Sequence, residues 1–264
     1  MSFLVSLALA CYFMSGMLSL ANSLRKTERD VALFRWPSMI ALGAGLVANA
    51  LWIVERWHAL GFPPFAEIYG CFVLLALCVG VVAMALELAL GIRFLGALSS
   101  LAAAALLIIS LRFVGETRPL MPALQSAYFA PHVVSYFIAY GALTVSGLAS
   151  LALLAQKSDG RAFAESQAWA RRSAQIGFPF LTLGMVLGAL WAQAAYTDYW
   201  GWDPKEVWAL VTWLLIAAWF HLQATGRRGK LAAGLMIIAV AAMYFTLFGV
   251  GLLPTSSQSL HVYK

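Results

Sequence analysis

The chain has 264 residues, of which 62% are hydrophobic and only 11% charged. A soluble domain carries about a quarter charged residues, so the apolar surplus cannot be hidden in one water-facing core and the solvent must be lipid. The formal net charge of +6 does not point to nucleic acid, because the lysines and arginines gather at the ends of apolar runs, where they act as topology signals.

The first run, "MSFLVSLALACYFMSGMLSLANSLRKTERD", has no basic segment ahead of its apolar stretch and carries its charges behind it. It reads as an uncleaved first helix rather than a signal peptide. Seven further apolar runs follow. The eight expected spans cover roughly 2–24, 35–54, 67–90, 94–113, 132–155, 173–195, 205–224 and 231–252, each near the twenty residues a crossing needs. The expected fold is an all-α polytopic bundle forming a single integral membrane domain over 1–264, with no soluble domain of any size. Cys11, Cys71 and Cys78 all lie in apolar runs and none forms a CxxC pair. A disulfide framework, a zinc site and a thioredoxin-like motif are therefore unsupported.

Alternate loops hold twelve lysines and arginines on one side, including Arg25, Lys26, Arg29, Arg35, Arg171, Arg172, Arg227 and Arg228, against five on the other: Arg56, Arg112, Arg118, Lys205 and Lys264. The positive-inside rule places the richer set in the cytoplasm. Both termini then lie outside, with the loops 55–66, 114–131 and 196–204 and the tail 253–264. His58, His132 and His261 fall on the outer side. The longest inner connection, "QKSDGRAFAESQAWARR" at 156–172, suits a helix lying at the interface, with Phe163 and Trp169 on its apolar face.

The run "DYWGWDPKEVWALVTWLLIAAWFH" at 198–221 is the least ordinary stretch. Part of it is a helix start. Asp203 suits the N-cap, Pro204 the first helical position and Glu206 the third, as in a capping box. Trp200 and Trp202 fall where tryptophan is enriched at any membrane surface. The density is harder to dismiss, since six of the ten tryptophans lie between Trp191 and Trp219. Trp208 and Trp219 are eleven apart, about 20° from each other around a helix. Trp213 sits mid-membrane, where a belt would not place it. Broad aromatic planes beside a helix N-terminus and Lys205 suit a large, flat ligand bearing carboxylates, and haem fits that description.

The histidines are weighed the same way. His221 lies about sixteen residues into the seventh span, roughly 24 Å from its outer end. A histidine inside a span is a functional candidate, against the plainer reading of a helix–helix hydrogen bond. Ala217 and Ala218 one turn earlier leave room for a porphyrin, and equally for close packing. His132 follows Pro131 at the start of the fifth span, and His261 sits in the tail as "LHVY". A lone surface histidine is usually only that. Together they are two imidazole donors on one side of the membrane, the number that holds one haem iron.

At these residues a family resemblance appears. "GALWAQAAYTDYWGWDPKEVWALVTWLLIAAWFH" closely resembles the tryptophan-rich WWD signature of the CcsA (ResC) cytochrome c biogenesis proteins, the haem-handling subunits of the system II maturation pathway. "MPALQSAYFAPHVVSYFIAYGAL" resembles that family's external histidine segment, with His132 at the histidine position. "LHVY" resembles its second external histidine, His261, and His221 occupies the position of its membrane histidine. "RWHALGFPPFAEIYGCF" resembles its first outer loop, and the likeness runs from about Arg56 onward. The chain departs from the family where Tyr196 and Thr197 replace a Trp-Gly pair, where Val262 replaces Ser, and where Glu67 and Gly70 replace Asn and Glu. His58 matches no ligand of the family.

The resemblance implies that haem b is held with help from His221, then ligated externally by His132 and His261 and cradled by Trp191, Tyr196, Trp200, Trp202, Asp203 and Trp208. An apocytochrome CxxCH motif then receives the haem. The implied setting is a bacterial cytoplasmic membrane with an external active face. The implied partners are a ResB (CcsB) membrane protein and a thiol-reducing thioredoxin-like protein. A membrane haem b electron-transfer subunit would want paired histidines within the bilayer, and only His221 lies there. A regulatory paralogue would have no need of His132, His221 and His261. A secondary transporter would show a broken span. The system I proteins CcmC and CcmF share a tryptophan signature, but the "WDPKE" form and the short length favour CcsA.

Overall fold

The computed structural model describes residues 2–23, 28–90, 93–115, 120–158 and 160–252, without the side chains of residues 28–32, 93 and 252. Its regular structure is entirely helical, with no strand among these residues. Eight helical stretches there are long and apolar enough to cross a membrane. They fall into two compact units, residues 1–120 and 121–264.

The first unit holds α1 (Phe3–Ser23), α2 (Glu28–Leu60), α3 (Ile68–Leu90) and α4 (Arg93–Ser110). In lipid, apolar side chains gain little by leaving solvent, so small residues and buried hydroxyls hold such helices together. Here Ser15 and Ser19 of α1, Ser38 of α2 and Ser100 of α4 are all buried. Ser38 lies within hydrogen-bond reach of Ser15 and Ser19, and Ser15 of Ser100. Asn49 of α2 donates to the buried Tyr12 hydroxyl at 3.2 Å.

The sequence ends the second span at residue 54, but α2 continues to Leu60 and carries Glu55, Arg56 and His58 on its last turns rather than in a loop. Nothing between these residues breaks a helix. The stop comes at Gly61, whose φ of +74° is the left-handed conformation that closes a helix and costs glycine least.

The second unit holds α5 (Phe129–Ala155), α6 (Arg161–Tyr196), α7 (Pro204–Ala224) and α8 (Lys230–Tyr244). The central residues of α5 are small and buried, Gly141, Ala142, Ser146, Gly147 and Ala149 among them. They admit two neighbours. Gly177 of α6 lies against Leu143 and the Ala139 carbonyl, and Val240 of α8 lies against Gly147. The Ser146 hydroxyl donates to the Ala170 carbonyl of α6 at 2.8 Å, and the Thr144 and Tyr244 hydroxyls meet at 2.8 Å.

One expectation fails here. Residues 161–172 are not a separate helix lying at the interface. They are the first third of α6, which runs unbroken for 36 residues. Trp169 is fully buried, and Phe163 packs with Leu153 of α5 and Ala233 of α8. The aromatic residues assigned to a lipid interface face protein instead, and no glycine or proline separates them from the span that follows. At its far end α8 loosens into a π-helical turn, Phe245–Gly249, and then a short 3-10 turn, Val250–Leu252.

Candidate functional site

His132 lies in the first turn of α5, where its N–H opens the helical ladder by bonding the Tyr128 carbonyl at 3.0 Å. Pro131 beside it is tolerated because the first helical N–H groups have no partner to lose. The imidazole is turned onto α6. Its Nδ1 is 2.9 Å from the Gly184 carbonyl oxygen. It lies nearly parallel to the Trp191 ring, 10° between planes and 5.9 Å between centroids. Tyr136, one turn along α5, meets the imidazole edge-on at 5.0 Å. Residues 184, 188 and 191 share one face of α6, as residues 132, 136 and 140 share one face of α5.

Trp191 is 4% exposed and ties this corner together. Its indole N–H donates to the Ala123 carbonyl at 2.8 Å, which pins the chain leading into α5. Its ring also touches Phe129 and, edge-on at 5.6 Å, Tyr196. Tyr196 therefore packs at the same corner as Trp191.

The connection from α6 to α7 is closed by backbone strain and by one carboxylate. Thr197 ends α6 at φ +69° and Trp202 precedes α7 at φ +55°, both left-handed conformations unfavourable for residues with a branched or bulky side chain. Glu206 reaches back so that one oxygen accepts from the N–H groups of Gly201, at 2.9 Å, and Asp203, at 3.1 Å. Asp203 accepts from the Lys205 N–H at 2.8 Å, completing the capping box expected from "DPKE". Its carboxylate thus already answers the α7 N-terminus that the sequence offered to a ligand.

The loop holds Trp200 and Trp202 edge-to-face at 6.0 Å, with Trp202 72% exposed. Trp208 is half-buried against Phe245 of the π-helical turn, 4.5 Å between centroids. The remaining tryptophans of the run are packing residues. Trp213 donates to the Thr182 hydroxyl of α6 at 2.9 Å and packs on Phe178, and Trp219 is buried against Phe220. His221 sits on the last turn of α7 with an exposed side chain. It is about 26 Å along the helix from Pro204 at 1.5 Å per residue. His132 and His221 thus stand at opposite ends of their unit. His261 lies outside the described residues, as does the tail from 253.

Sequence reasoning passed over Tyr136, Gly184 and Gly188. The signals were present: a His-Tyr-Tyr stripe at four-residue spacing over 132–140, and a G-x-x-x-G pair at 184 and 188 of the kind that lets membrane helices approach closely.

Comparison with known proteins matches residues 65–257, well over half the chain, to the cytochrome c assembly protein family. CcsA of Chlamydomonas reinhardtii is 30% identical over 240 residues, covering 85% of this chain and 67% of that protein. CcsA of Heterosigma akashiwo is 27% identical over 293 residues, covering 86% and 89%. CcsA of a Synechococcus strain is 35% identical over 173 residues, covering 51% and 57%. Among solved structures, a cytochrome c haem lyase, CcmF, superposes with a TM-score of 0.60 at 22% identity. The match covers 94% of this chain but only about half of CcmF, 49%, and it establishes likeness of fold. With eight membrane-length helices, a tryptophan-rich loop closed by a capping box and a family match over most of its length, the chain belongs to the CcsA family of multi-pass cytochrome c assembly proteins.

Proposed function

We propose that this chain is the haem-holding subunit of a system II cytochrome c synthetase, presenting haem b outside a bacterial cytoplasmic membrane to the CxxCH motif of an apocytochrome. The observation that carries this reading is the setting of His132. Its ring is turned onto α6 by a carbonyl and flanked by Trp191, Tyr136 and, through Trp191, Tyr196. A bare metal ion needs several converging donors, and no three His, Cys, Asp or Glu side chains gather among the described residues. One oriented imidazole bordered by aromatic planes would instead suit iron that a porphyrin already supplies with most of its donors.

In this reading His132 and His261 would be the residues that hold the haem iron. Trp200, Trp202 and Trp208 would offer the haem aromatic surface, and Lys205 would offer positive charge to its carboxylates. Asp203 and Glu206 hold the loop in shape. Haem, when bound, supplies the vinyl groups across which the cytochrome's cysteine thiols add to form thioethers. The chain's own contribution is to hold and orient. His221, at the far end of α7, is a separate imidazole for haem met within the membrane. A ResB-type membrane partner completes the synthetase, and a thioredoxin-like reductant keeps the CxxCH thiols free. An electron-transfer cytochrome b is less well supported, because His132 and His221 stand too far apart to share one iron.

His132→Ala and His261→Ala should each abolish covalent c-type cytochrome formation, with millimolar imidazole partly restoring it, as read by haem staining of the cytochrome. His221→Ala should lower the haem content of the purified complex. Normal maturation in both external variants would sink the reading.

A further inference from the structure

Building on that reading, we infer that Gly188 of α6 is a positioning residue, which fixes both the orientation and the tautomer of His132 and so makes Nε2 the nitrogen presented to a metal. Two observations meet here. A Cβ placed on Gly188 would come within 2.6 Å of His132 Cε1 and 2.8 Å of Nδ1, inside any tolerable contact. The imidazole therefore occupies the volume that a side chain at position 188 would fill. The same ring puts Nδ1 2.9 Å from the Gly184 carbonyl oxygen. A carbonyl only accepts, so Nδ1 carries the proton and the lone pair of the neutral ring is on Nε2.

The two observations share one cause. In a helix the Cβ of residue i+4 leans toward the N-terminus, beside the carbonyl of residue i. With no Cβ at 188, the second lone pair of the Gly184 carbonyl is open sideways to α5, while the first is available to the helix's own N–H ladder. One missing methyl thus supplies the space for the ring and its access to the acceptor. Trp191, one turn further on the same face, closes the seat by stacking on the imidazole. A carbonyl holding the remote nitrogen of a metal-ligating histidine is the usual way a protein sets that ligand's tautomer, and disturbing such a partner costs about 10–100-fold in affinity or activity.

The neighbouring glycines supply the controls. Gly184 seats the Tyr136 ring, and Gly177 seats Leu143 on the same α5–α6 interface, two to three turns from His132. Gly177→Ala therefore crowds the interface without touching the imidazole.

The test uses the full chain co-expressed with its membrane partner. Gly188→Ala, at wild-type abundance in the membrane, should lower cytochrome c yield by about tenfold or more. Millimolar imidazole should recover that yield, as it does for His132→Ala, because the fault is a misplaced imidazole. Any loss in Gly177→Ala should not respond to imidazole. Independently of variants, selective ¹⁵N-histidine labelling of the four histidines should show His132 in the Nδ1–H tautomer in the haem-free chain. Normal yield in Gly188→Ala, a defect that imidazole leaves unmoved while it rescues His132→Ala, or an Nε2–H tautomer would each overturn the inference. If His132→Ala itself matures cytochromes normally, it is the external-ligand reading that fails.

Discussion

Trp202 combines two properties that packing alone does not reconcile. It holds a left-handed backbone at φ +55°, which costs an L-residue about 1–2 kcal/mol, and it spends that on a ring 72% exposed to solvent. A structural tryptophan would be buried, and a structural left-handed position would be glycine. Trp202→Gly should therefore leave the melting temperature of the purified complex unchanged or slightly higher while cytochrome c yield falls. A drop in melting temperature with yield preserved would make Trp202 a packing residue after all. Trp213 teaches the reverse lesson. Its mid-membrane place in the sequence suggested a ligand plane, yet its indole N–H answers the Thr182 hydroxyl across to α6. Spacing along one helix gives the direction of a side chain, and Thr182 lies more than thirty residues away, so the partner that decides the role was not legible.

Among the elements, α7 was readable and α6 was not. The α7 start is written locally: Asp203, Pro204 and Glu206 each act within four residues of one another, and the capping box forms as the sequence dictates. The seat of His132 is written across two helices, in Gly184 and Gly188 on one and His132 and Tyr136 on the other, and no single-helix pattern joins them. The length of α6 was misjudged for a similar reason. Phe163 and Trp169 look interfacial until Leu153 and Ala233 are seen to bury the first turn. Glu206 offers the sharpest test at this scale, because one carboxylate oxygen accepts two loop N–H groups, from Gly201 and Asp203. Glu206→Ala should cost about 1–2 kcal/mol of local stability and speed amide exchange across 198–203, whereas Glu206→Gln keeps an acceptor and should stay near wild type. Equal exchange in the two variants would mean that the loop is held by something other than this carboxylate.

For the whole molecule, the eight spans and their order were legible because lipid demands about twenty apolar residues per crossing. Orientation rests on the charge bias alone. It predicts that reporters requiring export are active when fused after residues 115, 201 or 264, and that cytoplasmic reporters are active after residues 160 or 229. A cytoplasmic readout at 264 would put His261 and His132 on opposite sides of the membrane and end the idea that they share an iron.

The 36 residues of α6 form one rod about 54 Å long. Its first third is tethered to the α7–α8 turn, where Gln167 donates to the Arg228 carbonyl. Its last third carries the Trp191 face. Pro179, just past the midpoint, donates no helical hydrogen bond, so the rod is softest there. A bend of about 5° at that point displaces Trp191, about 18 Å further along, by about 1.6 Å. Leverage of this kind would carry a small flexure at Pro179 to the Trp191 face that closes on His132.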